Sequence, residues 1–184
     1  MRIVILSDIH DNVWKLAAVL NSAQTADALI CCGDLCSPFI IDRLAEGFPG
    51  PIYVVFGNND ADLFRITTNA KRYDHVHLAG EFLERDLGGK RFAVHHFNNV
   101  ALALAGSGRY DVVCFGHNHV FQVEMRVSTL LINPGSIMGY HPGNKARNVP
   151  PKNLPSTFVV YDTESGAAEG FQVTADNQGV LIYP

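Results

Sequence analysis

The chain has 184 residues, of which 47% are hydrophobic and 17% charged, and its formal net charge is −4. This length suits one domain with a sizeable core, which we expect to span residues 1–184. The net negative charge makes nucleic acid an unexpected partner, although a nucleotide remains a possible ligand. No run of Lys or Arg suggests binding to a membrane surface. No apolar run approaches about 18 residues, and MRIVILSDIH turns polar too early for a signal peptide, so we expect a cytoplasmic protein.

The first third of the chain alternates buried strands with helices. Three continuous apolar runs predict buried strands: RIVIL, ALICC and PIYVVF. Amphipathic patterns predict three helices, over residues 12–23, 38–45 and 60–70. This alternating order predicts a parallel sheet at the start of the chain.

Shorter strands dominate after Asp74. FLERDL and RFAVH flank Gly88-Gly89, which is a hairpin signal, NNVALALAG is a short helix candidate, and YDVVCF is another buried strand. Four further strand patterns follow: VFQVEMRV, TLLIN, TFVVYD and GFQVT. The whole pattern predicts an α/β fold with a two-layered, β-sandwich-like core flanked by helices.

The segment 139–156 has no periodicity and contains four prolines. It reads either as a surface loop or as a flap whose Lys145, Arg147 or Lys152 meets an anionic substrate. The four cysteines do not match a zinc-binding spacing, and most lie in or beside apolar runs, so we expect reduced thiols.

Side chains that can bind metals directly follow the predicted strands. In chain order they are Asp8, His10, Asp34, Asn58, His95, His117 and His119. Ligand sites in open α/β sheets gather outside the carboxyl ends of the strands, so these residues are expected to converge. Each of these residues alone could be a helix cap, a turn residue or a surface histidine. Seven such residues that each follow an apolar strand indicate a metal site. Carboxylate and imidazole without thiolate suit Mn²⁺, Fe, Ni²⁺, Co²⁺ or Zn²⁺, and seven ligands suit two ions that share a bridging carboxylate.

These motifs resemble those of a known family. Asp8-x-His10, Gly33-Asp34, Gly57-Asn58, a strand-end histidine and Gly116-His117-x-His119 occur in the order seen in the calcineurin-like metallophosphoesterases. The chain length and the NPGS at residues 133–136 resemble the small single-domain prokaryotic phosphodiesterase branch. The resemblance covers roughly residues 1–136.

The resemblance implies a metal centre and a reaction. One ion would be held by Asp8, His10 and His119. The other would be held by Asn58, His95 and His117, with Asp34 bridging the two. A metal-bridging hydroxide would attack the phosphorus of a small phosphate ester, with manganese preferred and nickel, iron, cobalt or zinc compatible. The branch implies a phosphodiesterase and favours a homo-oligomer. The nearest alternative is a phosphomonoesterase or nucleotidase. The second alternative is a non-catalytic, protein-binding scaffold of the same fold, a class of protein in which metal ligands have been lost.

Two positions depart from the family pattern. Asn59 stands where the family usually has a histidine that contacts the phosphate and helps to protonate the leaving group, and an amide can donate a hydrogen bond but no proton. His96, His141 or a metal-bound water could substitute, and Asp60 would orient a metal ligand or cap a helix. His95 and His96 stand where the family has His-Gly-His or His-Gly-Asn. We prefer His95 as the ligand because it directly follows RFAV, which leaves His96 facing the substrate or supporting a ligand.

Overall fold

The computed structural model describes residues 1–143, 146 and 148–184, so Lys145 and Arg147 lie outside the described residues. The helices are α1 (Val13–Ser22), α2 (Phe39–Gly47), α3 (Leu63–Ala70) and α4 (Asn98–Gly106). The strands are β1 (Arg2–Leu6), β2 (Ala28–Cys31), β3 (Ile52–Val54), β4 (Val76–Leu78), β5 (Phe82–Leu87), β6 (Lys90–His95), β7 (Val112–Cys114), β8 (Phe121–Arg126), β9 (Thr129–Pro134), β10 (Tyr140–His141), β11 (Lys152–Asn153), β12 (Thr157–Asp162), β13 (Ala168–Val173) and β14 (Val180–Ile182).

The strands form two large sheets. The first has seven strands in the order β14-β13-β12-β1-β2-β3-β4, and the second has five in the order β5-β6-β7-β9-β8. Strands β1 to β4 are mutually parallel, as the alternating pattern predicts, and so are β6, β7 and β9. The α/β fold with a sandwich-like core flanked by helices is thus confirmed.

Strand β1 is buried on both faces, which explains its continuous apolar run. Ile3 and Ile5 pack in the layer between the two sheets, whereas Val4 and Leu6 pack against the helices on the outer face of the first sheet. Alternate residues of a strand point to opposite faces, so both faces of RIVIL must be apolar. The same rule applies to the second sheet, where α4 covers the outer face.

The later part of the chain differs from the sequence expectation in detail. Gly88 and Gly89 do form the turn of the predicted hairpin between β5 and β6. The segment 139–156 contains an antiparallel pair of strands, β10 and β11, which no alternation of hydrophobic residues predicts. In the part of the chain that the structure describes, no helix is long and apolar enough to cross a membrane.

Candidate metal centre

The predicted site residues follow the carboxyl ends of β1, β2, β3, β6 and β7, and these five strand ends meet at one edge of the two sheets. The backbone there is unusual. Asp8, His10, Asp34, His117 and His119 all have positive φ values, between 43° and 72°. This left-handed conformation is uncommon for residues other than glycine, and it persists at functional sites where the surrounding structure enforces it.

Asp8, His10 and His119 form one group of potential ligands. Asp8 Oδ1 lies 3.2 Å from His119 Nε2 and 3.7 Å from His10 Nε2. The Nε2 atom of His10 is buried, has no hydrogen-bond partner and also lies 3.4 Å from Asp34 Oδ2. An orphaned imidazole nitrogen between two carboxylates is the environment expected of a metal ligand.

Asp34, Asn58, His96 and His117 lie next to this group. His96 Nε2 is 3.4 Å from Asp34 Oδ2 and 3.1 Å from Asn58 Oδ1, and His117 Nδ1 is 2.8 Å from the same amide oxygen. Asp8 and Asp34 also share a potential ligand group with His96. One oxygen of the Asp34 carboxylate, Oδ2, therefore lies 3.4 Å from both His10 Nε2 and His96 Nε2, a position from which it could serve two ions.

Backbone carbonyls set the tautomers of two of these histidines. His96 Nδ1 lies 2.8 Å from the carbonyl oxygen of Cys32, and His119 Nδ1 lies 2.7 Å from that of Tyr140. A carbonyl can only accept, so each Nδ1 carries a proton, and the Nε2 lone pair of the neutral ring faces oxygen lone pairs. A cation between the nitrogens and the oxygens resolves that repulsion, which means that the donor set fits a metal.

The charges of the cluster point the same way. Burial raises the pKa of Asp8, but the neighbouring imidazoles of His10, His119 and His96 together outweigh it and hold that pKa well below its usual range. Burial likewise raises the pKa of Asp34, yet His96 and Asn59 bring it below the usual value. Burial lowers the pKa of His96, but the Asp34 and Asp8 carboxylates and the Cys32 carbonyl together raise it above its usual value. Both carboxylates therefore stay ionised at neutral pH and demand positive charge beside them.

The structure brings His96 into the cluster and leaves His95 outside it. The sequence had favoured His95 as the ligand. Along β6, Phe92 and Val94 face the layer between the sheets, and Ala93 faces α4. His96 continues the parity of Phe92 and Val94 and so turns towards Asp34, whereas His95 turns away and its Nδ1 accepts the Phe97 backbone N–H at 3.1 Å. A shift of one residue exchanges the two faces of a strand, which explains the difference.

Asn59 and Asp60 both support Asp34. The Asn59 backbone N–H donates to Asp34 Oδ1 at 2.8 Å, and its Nδ2 donates to Asp34 Oδ2 at 2.7 Å. Asp60 is buried, and its carboxylate accepts the backbone N–H groups of Asp34, Cys36 and Gly57. Asp60 thus lies beneath the site and joins the loops that follow β2 and β3.

Several residues outside the predicted set of ligands hold the site loops in place. Ser136, within NPGS, is buried and donates to the carbonyl oxygen of Asp8 at 3.1 Å. Asn133 Nδ2 donates to the carbonyl oxygen of Gly116 at 3.1 Å. Cys36 Sγ lies 3.3 Å from His10 Nδ1, on the side of the ring opposite the carboxylates. The Cys36 contact could not be read from the CCGDLC spacing, because it depends on the positive φ of both residues.

Glycine is required at two of the motif positions because side chains crowd the backbone. A Cβ atom at Gly57 would overlap Asp34 Oδ1 and lie 2.6 Å from the Asp34 backbone nitrogen. A Cβ atom at Gly116 would overlap Ser7 Oγ and lie 2.5 Å from Asp8 Oδ2. The glycines of the Gly-Asn and Gly-His motifs therefore let the two carboxylates approach the neighbouring strand ends.

An open cleft of about 500 Å³ lies above this cluster. Its lining residues are His10, Asp34, Asn58, Asn59, His117, His119, Met138, His141, Pro142, Gly143 and Val149. The volume is in the range of small-molecule sites. The cluster of potential ligands thus forms the floor of a cleft, and residues 138–143 form one of its walls.

Comparisons with known proteins agree with this geometry. A family model described as the calcineurin-like phosphoesterase superfamily domain matches residues 1–166. A phosphodiesterase of Methanocaldococcus jannaschii is 32% identical over 149 residues, which span 78% of this chain and 88% of that relative. The solved structure of an archaeal phosphodiesterase matches with a TM-score of 0.75 and 25% identity over 100% of both chains. Vps29 of Chaetomium thermophilum shares the fold alone, with a TM-score of 0.68 and 18% identity over 100% of this chain and 96% of that one. The chain belongs to the calcineurin-like phosphoesterase superfamily.

Proposed function

We propose that this protein is a phosphoester hydrolase that uses two divalent metal ions and prefers phosphodiesters. The observation that carries the proposal is the convergence of His10, His96 and His119 Nε2 atoms on the Asp8 and Asp34 carboxylates, within 3.2 to 3.7 Å. Asp8, His10 and His119 would hold one ion. Asn58, His96 and His117 would hold the other, and Asp34 would bridge the two.

Two such ions, when bound, activate a water molecule and stabilise the charge that develops on the phosphoryl group. The residues of the chain position this chemistry. The Cys32 and Tyr140 carbonyls orient His96 and His119, and Asn59 and Asp60 fix Asp34. Asn58 contributes a neutral oxygen, which limits the negative charge that a phosphate ester meets at the floor of the cleft.

The diester preference rests on charge. Among the described residues that line the cleft, none is a lysine or an arginine. A phosphodiester carries one negative charge at neutral pH, whereas a monoester carries up to two, so a cleft whose described lining residues include no lysine or arginine favours the diester. The relationship to a phosphodiesterase of Methanocaldococcus jannaschii supports the same choice. Manganese is the ion that we propose first.

The test compares bis(4-nitrophenyl) phosphate with 4-nitrophenyl phosphate, for protein freed of metal with a chelator and then loaded with Mn²⁺, Ni²⁺, Co²⁺ or Zn²⁺. We expect metal-dependent hydrolysis with a higher kcat/KM for the diester. Asp34→Asn should abolish hydrolysis of both esters, because it removes the bridging charge. A higher kcat/KM for the monoester would overturn the diester preference, and hydrolysis by neither would overturn the proposed enzyme in favour of a binding scaffold.

A further inference from the structure

His141 lies in the wall of the cleft, on β10, opposite the predicted ligands. It is half-buried, and its ring centroid lies 6.0 Å from that of His119 at an interplanar angle of 75°. Strand β10 pairs with β11, and His141 stands opposite Lys152 in that pair. The β10–β11 pair therefore carries an imidazole into the cleft beside the proposed ligand His119.

The hydrogen bonding of His141 selects one tautomer. The Gly143 backbone N–H donates to His141 Nδ1 at 2.9 Å. A nitrogen that accepts from an amide carries no proton of its own, so the ring proton resides on Nε2. His141 is thus an N–H donor at Nε2.

The other described residues of the cleft leave few donors for a substrate. His10, Asp34, Asn58, His117 and His119 belong to the proposed ligand set, and the Asn59 amide is engaged by Asp34 Oδ2 at 2.7 Å. The remaining described lining residues are Met138, Pro142, Gly143 and Val149, which carry no polar side chain. Among the described residues of the cleft, His141 is accordingly the one titratable side chain outside the ligand set.

We propose that His141 is a substrate-contacting residue whose Nε2–H donates a hydrogen bond to a non-bridging oxygen of the phosphate ester. This inference rests on the proposed function. It assigns His141 a binding role and not that of the acid for the leaving group, because the tautomer selected by Gly143 has no proton to give up without forming an imidazolate. Among the described residues of the cleft, no other side chain outside the ligand set can supply that proton, so hydrolysis should depend steeply on the acidity of the leaving alcohol.

The kinetic test compares His141→Ala and His141→Gln on two diesters, one with 4-nitrophenol and one with an alkyl alcohol as the leaving group. A hydrogen bond to a charged group predicts that His141→Ala lowers kcat/KM by about 10- to 100-fold. The loss should be the same for both esters, and His141→Gln, whose amide N–H can replace Nε2–H, should restore most of it. His77→Ala is the matched control, because His77 is exposed and stacks on Tyr53 outside the cleft. Unchanged kcat/KM in His141→Ala, or a larger loss for the alkyl ester, would overturn the inference.

Two further measurements separate this inference from the proposed enzyme. Calorimetric titration of the metal-loaded protein with inorganic phosphate should show weaker binding for His141→Ala than for wild type, whether or not any ester is hydrolysed. The ¹⁵N shifts of the His141 ring in the wild-type protein should identify Nε2 as the protonated nitrogen. Equal phosphate affinity, or a proton on Nδ1, would contradict the role of His141. A wild-type protein that binds phosphate through His141 but hydrolyses no ester would contradict the proposed function alone.

Discussion

The Asp60 carboxylate fastens the loop after β2 to the loop after β3, so its removal should weaken both loops. Its Oδ2 accepts the backbone N–H groups of Gly57 at 2.7 Å and Asp34 at 3.1 Å, and its Oδ1 accepts that of Cys36 at 2.9 Å. Asp60 is only 7% exposed, and its bond with the Asp34 backbone N–H is buried. Three backbone donors thus depend on one side chain.

The structure sets the size of the expected loss. A buried donor left without an acceptor costs about 1–3 kcal/mol. The lower end of this range applies to Asp60 because water can reach the partly buried amides of Gly57 and Cys36. In addition, burial raises the pKa of Asp60, so the charged carboxylate is already disfavoured in the folded protein. Asp60→Ala should therefore lower the free energy of unfolding by about 3 kcal/mol. Asp60→Asn keeps one acceptor oxygen but sets an amide N–H₂ group against one donor, so we expect a loss of about 1–2 kcal/mol.

Urea denaturation of the chelator-treated protein, followed by circular dichroism, measures this loss without a contribution from bound metal. Asp62→Ala is the matched control on the same loop, since Asp62 caps α3 through a single bond to the Arg65 backbone N–H at 3.1 Å. Loss of one cap costs about 1 kcal/mol. If Asp60→Ala destabilises the protein no more than Asp62→Ala does, the proposed role of Asp60 as a clamp between the two loops is refuted.

Three other predictions concern the metal centre. His96→Ala should remove bound metal, as measured by elemental analysis, whereas His95→Ala should retain it; the reverse result would restore the register preferred from the sequence. Cys36→Ala should weaken metal affinity by about tenfold, because His10 Nδ1 loses its partner, and Cys36→Ser should lose less, since a hydroxyl can still accept from Nδ1. Equal metal affinities of wild type and Cys36→Ala, measured by calorimetry, would exclude that role for Cys36. Metal at about one hundred times its dissociation constant should raise the melting temperature by about 5–10 °C over chelator-treated protein, and an unchanged melting temperature would argue against a site that forms only in the folded state.

The sequence predicts those features of the fold that depend on apolar runs and on the residues that end them. RIVIL and ALICC are buried on both faces, so they had to be core strands, and the polar residues that directly follow them had to lie at one sheet edge. Asp8 and Asp34, and likewise Asn58 after PIYVVF, can be placed at that edge from these runs alone.

Other features depend on geometry that a single sequence does not carry. The choice between His95 and His96 turns on a strand register of one residue, and RFAVHHF contains no signal that fixes it. The partners of His96 and His119 are backbone carbonyls, which every residue type provides, so no residue pattern can identify them. Strands β10 and β11 have two residues each and pair through their backbones, which explains why the Pro-rich segment appeared only as a loop or flap.

The number of metal ions bound to each chain tests the central claim most directly. Native mass spectrometry of the chelator-treated protein, reloaded with Mn²⁺, should detect two ions per chain. Asp34→Asn should bind fewer, because both proposed sites lose the charge that they share. A dinuclear centre bridged by Asp34 predicts two ions in wild type and a reduced number in Asp34→Asn. One ion or none in the wild-type protein, or two in Asp34→Asn, would contradict a dinuclear centre bridged by Asp34.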